Sequence, residues 1–154
     1  MHTALLGITR IFSSTATGIP KLQLAKSMAT LPAKLDAIPA VDIDSGRFKY
    51  VLIRVDMQDA AETKQEYNKV IVRGYNWASF HADIYDKVQE ELEAVGFDTE
   101  CLGGGRILHD PSKRSIQVYG YSQGFGLADH AVTTELLKAR YPDYESITWT
   151  NEGY

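Results

Sequence analysis

The order of elements along the chain predicts an α/β fold, a mixed β-sheet of about six strands flanked by two α-helices. Three observations carry this. Strand-like runs, a long amphipathic helix, further strands, a second helix and a last strand follow one another. A β-β hairpin in the middle argues for a mixed sheet and against a doubly wound parallel one. The run Phe48 to Val55 is apolar on nearly every residue, as expected of a strand buried on both faces.

Residues 1 to 38 show no sustained period and contain Pro20 and Pro32. They are expected to be a flexible N-terminal extension, with a single compact domain over 39 to 154. Residues 1 to 35 hold Arg10, Lys21, Lys26 and Lys34 and no acid, a charge of +4, which leaves −8 on the other 119 residues of a chain whose net charge is −4. An acid-free, hydroxyl-rich segment is like an organellar transit leader. A plain extension, with Met28 as a second start, is the other reading. A transit role would send the chain to a mitochondrion; otherwise the cytoplasm is expected, because the single cysteine, Cys101, fits a reducing compartment.

Val41 to Ile43 is expected as a short edge strand and Ser45-Gly46 as a turn. Met57 to Asn68 is polar, a surface loop or a short exposed helix. Lys69 to Arg73 is a second strand closed by Gly74. The long helix is expected to start around Gly74 to Trp77 and to end at Gly96, a residue suited to the position after a helix. At about 100° per residue, Trp77, Ile84, Val88, Leu92 and Val95 share one stripe. His81 falls inside that stripe. It is either a hydrogen-bonded core histidine or an imidazole aimed at a cleft.

Asp98 to Leu102 returns as a strand, and Gly103-Gly104-Gly105-Arg106 leads into the hairpin. The glycines mark either a bulge or a close approach of backbone to Arg106 or a ligand. They match neither the P-loop nor the dinucleotide fingerprint. Asp110 to Lys113 forms the hairpin turn and Ser115 to Tyr121 the returning strand. Ser122-Gln123-Gly124-Phe125-Gly126 is expected to open a second helix over Leu127 to Ala139, which Pro142 stops. A small-residue loop at a helix N-terminus is an anion cradle, and the alternative is an ordinary turn. His130 would point at the same anion or cover the surface. Glu145 to Thr150 is the last strand.

The totals exclude several classes. The composition, 44% hydrophobic and 23% charged, is that of an ordinary globular protein, and no stretch approaches the roughly 20 apolar residues of a membrane span. The acidic balance and the lack of an aromatic-basic stripe speak against nucleic acid. No set of His, Cys or Asp has convincing metal spacing. What remains coherent is a phosphate-handling site: a histidine, an anion loop, and Lys49, Arg73 and Arg106 each beside a strand end.

The blocks Phe48 to Val55, His81-Ala82-Asp83-Ile84-Tyr85-Asp86, Cys101 to Ile107, Val118 to Ser122, Tyr141-Pro142-Asp143-Tyr144 and Glu152-Gly153-Tyr154 occur in order. From about Val41 to Tyr154 the chain resembles the phosphohistidine phosphatase family, which includes the insect janus proteins. The segment Tyr121 to Ala131 is more similar to the janus branch. The resemblance implies a small monomeric α/β protein that hydrolyses the P–N bond of phosphohistidine in proteins, with phospholysine as a second substrate, and without metal or cofactor. It implies a catalytic role for His81 and substrate-phosphate contacts by Lys49, Ser122, Gln123 and Gly124. Arg73, Arg106 and His130 match supporting positions. Gln123-Gly124 departs from the vertebrate pattern, so substrate choice is expected to differ if side chains there select it. Partners would be phosphohistidine-containing proteins, with neither nucleic acid nor membrane. Sexual differentiation is the biology attached to the janus branch. A phosphate-binding regulator with no catalysis is the competing function, and it has no need of His81.

Overall fold

A computed structural model describes residues 30–58 and 67–154. Residues 1–29 of the expected extension and residues 59–66 of the polar stretch after Met57 lie outside the described residues; Thr30–Ala37, expected to be part of a flexible extension, is helical instead. The compact unit runs from Leu35 to Tyr154. In chain order the elements are α1 (Thr30–Ala37), β1 (Val41–Ile43), β2 (Gly46–Met57), β3 (Asn68–Tyr75), α2 (His81–Glu93), β4 (Phe97–Asp110), β5 (Ser115–Tyr119), α3 (His130–Arg140) and β6 (Ser146–Trp149). The six strands form one sheet in the order β1-β3-β2-β4-β5-β6. β1 and β6 pair parallel to β3 and β5, and the central pairings are antiparallel. This is the mixed six-stranded α/β sheet that the sequence predicts, with three helices among the described residues where two were expected.

β2 shows why the sheet has two cores. Successive side chains point to opposite faces. Phe48, Tyr50 and Leu52 pack with Leu137 and Ala128 on the α3 face. Val51, Ile53 and Val55 pack with Ile84 and Val88 on the α2 face. A run that is apolar throughout can supply both. The added helix, α1, joins the α2 face through Leu35. The Lys69 ammonium donates to the carbonyls of Leu35, Asp36 and Ile38, and the Leu35 carbonyl also accepts the Ile38 amide at 3.2 Å, so a cation gathers the carbonyls at the C-terminal end of the helix.

Three elements depart from expectation. α2 begins at His81, not at Gly74 to Trp77. Gly74 and Tyr75 are still in the sheet, opposite Tyr50 and Lys49. The Asp44 carboxylate accepts the Asn76 amide at 2.9 Å, and Trp77 stacks on Tyr75. Trp77 and Val95 are about half exposed and anchor nothing. Phe80 is the extended residue before the helix, and its amide donates to Asp83 Oδ2 at 2.8 Å.

α3 begins at His130, three residues later than expected. Asp129 caps it, accepting the Ala131 and Val132 amides. The Ser122–Gly126 loop therefore does not open a helix.

β4 is one strand of 14 residues rather than two runs separated by glycines. Its pairing with β2 slips between Leu52 and Ile53, leaving Leu102 opposite no residue. This β-bulge reverses the faces of the strand. Phe97 packs on the α2 face, whereas Ile107, also odd-numbered, packs on the α3 face.

Candidate active site

A cleft of about 450 Å³ opens where α2 meets the sheet. Ser79, Phe80, His81 and Ala82 form one wall, Ser122 to Phe125 face them, and Lys49 and Tyr154 complete the lining.

His81 is the first residue of α2 and only 7% exposed. One ring nitrogen, Nε2, lies 2.9 Å from the Gly105 carbonyl. A carbonyl only accepts, so Nε2 carries the hydrogen and Nδ1 is left with a lone pair. Burial is the main force holding the imidazole below its ordinary pKa; the Gly105 bond opposes it, and Lys49 and Arg106 add to the depression. The positive end of the α2 dipole acts in the same direction. The result is a neutral imidazole at neutral pH.

The close seat of His81 depends on a glycine. A Cβ on Gly104 would lie 2.7 Å from His81 Cδ2 and 2.8 Å from the Tyr50 carbonyl oxygen. Gly105, the next residue, faces the other side of the sheet. There a Cβ would lie 2.6 Å from His130 Cε1. Two histidines thus press on β4 from opposite faces at adjacent glycines. The glycine run is both of the things the sequence offered, a bulge at Leu102 and a close approach. The group that comes close is an imidazole on each face.

Lys49 on β2 pairs with Arg106 on β4, so the two cations share the α2 face of the sheet beside His81. Arg106 does not line the cleft itself but is near enough to lower the His81 pKa.

The Ser122–Gly126 loop is a tight turn on the sheet. Ser122 and Gly126 exchange two backbone bonds, and the Gly104 amide donates to the Gly126 carbonyl at 3.0 Å. Ser122 Oγ accepts the Phe125 amide at 3.1 Å and keeps its own O–H to donate. The amides of Gln123 and Gly124 donate to no described residue, which leaves them for an anion. The dipole that the sequence reading assigned to the following helix is supplied by α2 instead, whose first turn forms the opposite wall.

Two supporting candidates lie away from the cleft. Arg73 is buried in β3 and donates to the carbonyls of Val72 and Pro39, tying the segment before β1 to the sheet. His130 neither faces the anion loop nor covers the surface; it is 1% exposed, on the opposite side of the sheet. Its Nε2 donates to the Gly120 carbonyl at 2.8 Å, and its Nδ1 accepts from the Tyr50 hydroxyl at 2.6 Å. Burial foremost keeps its pKa low and the ring neutral. The sequence reading missed Phe80 and Tyr154 as lining residues; the first was assigned to a helix interior, and the second approaches only through tertiary folding. Among the described residues no three His, Cys, Asp or Glu side chains gather as a metal site, and no helix is long and apolar enough to cross a membrane.

Known proteins of similar sequence match this unit. A family model described as Janus/Ocnus matches residues 35–145. A 14 kDa phosphohistidine phosphatase of Sus scrofa is 58% identical over 79% of this chain and 97% of its own length. The Homo sapiens protein of the same name is 56% identical, over 79% and 98%. The sex-regulated protein janus-A of Drosophila pseudoobscura pseudoobscura is 50% identical, over 78% and 80%. Identity is thus higher to these two mammalian proteins than to the insect one, although the sequence reading leaned towards the insect branch at Tyr121 to Ala131. With its fold, its glycine-seated histidine and a match that covers most of the compact unit, the chain belongs to the Janus/Ocnus family.

Proposed function

We propose that the protein is a phosphohistidine phosphatase acting on proteins, and that His81 is its catalytic base. The observation that carries this is the locked imidazole: Nε2 is held by the Gly105 carbonyl, and Nδ1 remains as a free base in a cleft that also holds Lys49 and the Ser122–Gly124 amides. The names of the mammalian relatives support the substrate class.

The chemistry asks little of the protein beyond a base and an anion cradle. His81 Nδ1 takes a proton from a water in line with phosphorus as that water attacks. The P–N bond breaks, and the departing imidazole nitrogen takes up the proton that His81 accepted. Lys49, the Ser122 hydroxyl and the free amides of Gln123 and Gly124 hold the phosphoryl oxygens through the transition state. In the rival route Nδ1 attacks phosphorus and carries it transiently. Rapid-quench trapping of a phosphorylated His81 would establish that route and discard water activation. Arg73 and His130 act at a distance, by holding β1 and the glycine seat of β4.

The deciding experiment is hydrolysis of a phosphohistidine peptide in EDTA. His81→Ala should lower kcat by about 10² to 10⁴. No activity in either would sink the proposal and leave the phosphate-binding regulator standing; equal activity in both would keep the phosphatase and remove His81 as its base. A phosphoserine peptide, expected to be inert, tests the substrate class, and a phospholysine peptide its breadth. We further propose a monomer acting in the cytoplasm, in sexual differentiation as the name of the Drosophila relatives suggests. Sedimentation, fractionation and sex-specific expression check these points.

A further inference from the structure

Arg106 is held in an unusual way for a cation beside a reactive histidine. Arg54 and Arg114 are neutralised by carboxylates, Asp56 and Glu100 for the first and Glu145 for the second. Among the described residues Arg106 has no carboxylate within ion-pair distance. Its Nε is buried without a hydrogen-bond partner. What meets its guanidinium is the ring of Tyr154, whose centroid lies 4.3 Å from the guanidinium carbon.

The chain after β6 is built to bring that ring there. The Thr150 amide continues the pairing with β5 by donating to the Val118 carbonyl at 3.0 Å. The Thr150 hydroxyl oxygen then accepts the Glu152 amide at 3.1 Å, and Gly153 turns at a positive φ of 84°. Gly120 turns in the left-handed region at φ +70°, which favours glycine, and lies against both residues: a Cβ there would make ordinary contacts of 3.7 Å with Arg106 Cγ and Tyr154 Cα. Tyr121 braces the ring from the side, with centroids 5.1 Å apart. The same Tyr154 lines the cleft.

A carboxylate would fix the guanidinium but cancel its charge. An aromatic face fixes it by quadrupole attraction and leaves the full charge available. We propose that Tyr154 is a positioning residue for the reaction: its ring holds Arg106 as an un-neutralised cation beside the His81 cleft. Through Arg106 it strengthens the field on the transferring phosphoryl group. This rests on reading the cleft as a phosphatase site. The charged groups around His81 are Lys49 from β2, Arg106 from β4 and, on its own helix, Asp83. Arg106 and Lys49 both favour the neutral imidazole, so loss of the aromatic hold should let the His81 pKa rise.

The test compares Tyr154→Ala, Tyr154→Leu and Tyr154→Phe, each alone and with Arg106→Gln. Tyr154→Ala and Tyr154→Leu should lower kcat/KM about fivefold and move the acidic limb of the pH profile to higher pH. Tyr154→Phe keeps the ring face and should rescue both. On the Arg106→Gln background the Tyr154 substitutions should change nothing further. Additive effects, rescue by leucine, or an unaltered acidic limb would overturn the proposal. NMR titration of the His81 ring in the same variants reads the coupling without turnover. If wild type hydrolyses no phosphohistidine, the phosphatase reading fails while the titration still decides the role of Tyr154: a His81 midpoint that rises in Tyr154→Ala supports it, and an unmoved midpoint overturns it.

Discussion

At Gly104 the His81 imidazole and the sheet backbone are closer than any side chain permits. A methyl group there meets His81 Cδ2 at 2.7 Å, the Tyr50 carbonyl at 2.8 Å and Ser122 Cβ at 3.1 Å. His81 can yield only by giving up its bond to Gly105, and that bond sets which nitrogen keeps its lone pair. Gly104→Ala is therefore expected to cost about 10²-fold in kcat, out of proportion to a destabilisation of about 1–3 kcal/mol. Steady-state kinetics beside a urea melt measures the two separately. The residue scale is also where the sequence was least readable. The triple glycine announced a close approach, but its partners are imidazoles set 23 residues before Gly104 and 25 after Gly105. His81 itself stood out as an imidazole on an apolar stripe; its role came from the resemblance of whole blocks. Tyr154 was visible only as the end of a resembling block and carried no role, because its contacts with Arg106 and Tyr121 arise from the return of the chain end.

Among the elements, β2 was legible because an apolar run needs no distant information. The start of α2 was not. Trp77 fits the helical stripe, yet Gly74 and Tyr75 belong to β3 through their pairing with Tyr50 and Lys49, a contact local periodicity cannot show. α3 was displaced for a related reason: Asp129 is the better cap, and the loop before it bonds to Gly104 on β4. Below α3 a buried polar chain joins helix to sheet. The Tyr50 hydroxyl lies 2.6 Å from His130 Nδ1 and 3.0 Å from Thr133 Oγ1. Tyr50→Phe removes the hydrogen that His130 accepts and strands a buried ring nitrogen. The expected loss is about 1–3 kcal/mol, read from urea unfolding with an unchanged m-value. Adding His130→Leu removes the stranded nitrogen but takes the donor from the Gly120 carbonyl, so the double variant should stay below wild-type stability.

Over the whole molecule the two buried histidines, His81 and His130, make folding depend on pH. Both are depressed from the ordinary value of 6.5, chiefly by burial. In the window between the folded value and 6.5 the unfolded chain binds more protons than the native one, so stability rises with pH. Their contribution is fully present above about 6.5 and is lost as pH falls below it. The urea midpoint should therefore drop between pH 7.5 and pH 5, and a flat profile would show that the rings charge as freely in the fold as outside it. On the role proposed for His81, activity carries the same sign, since a protonated ring cannot accept from water. Its acidic limb should lie below the pKa of free imidazole.

The unpaired residue Leu102 marks where the count along β4 changes parity. Upstream of it odd-numbered side chains of β4 face α2, and downstream they face α3. Leu102 itself is slack: without it Cys101 would still stand opposite Ile53 and Gly103 opposite Leu52, and every later pair would keep its face. The residues from Gly103 to Arg106 have no such slack. One residue more or fewer between Gly104 and Arg106 would force a choice, the glycines against their histidines or Arg106 beside Lys49, because successive side chains alternate faces. β4 should accordingly accept a change of length at the bulge before it accepts one four residues later.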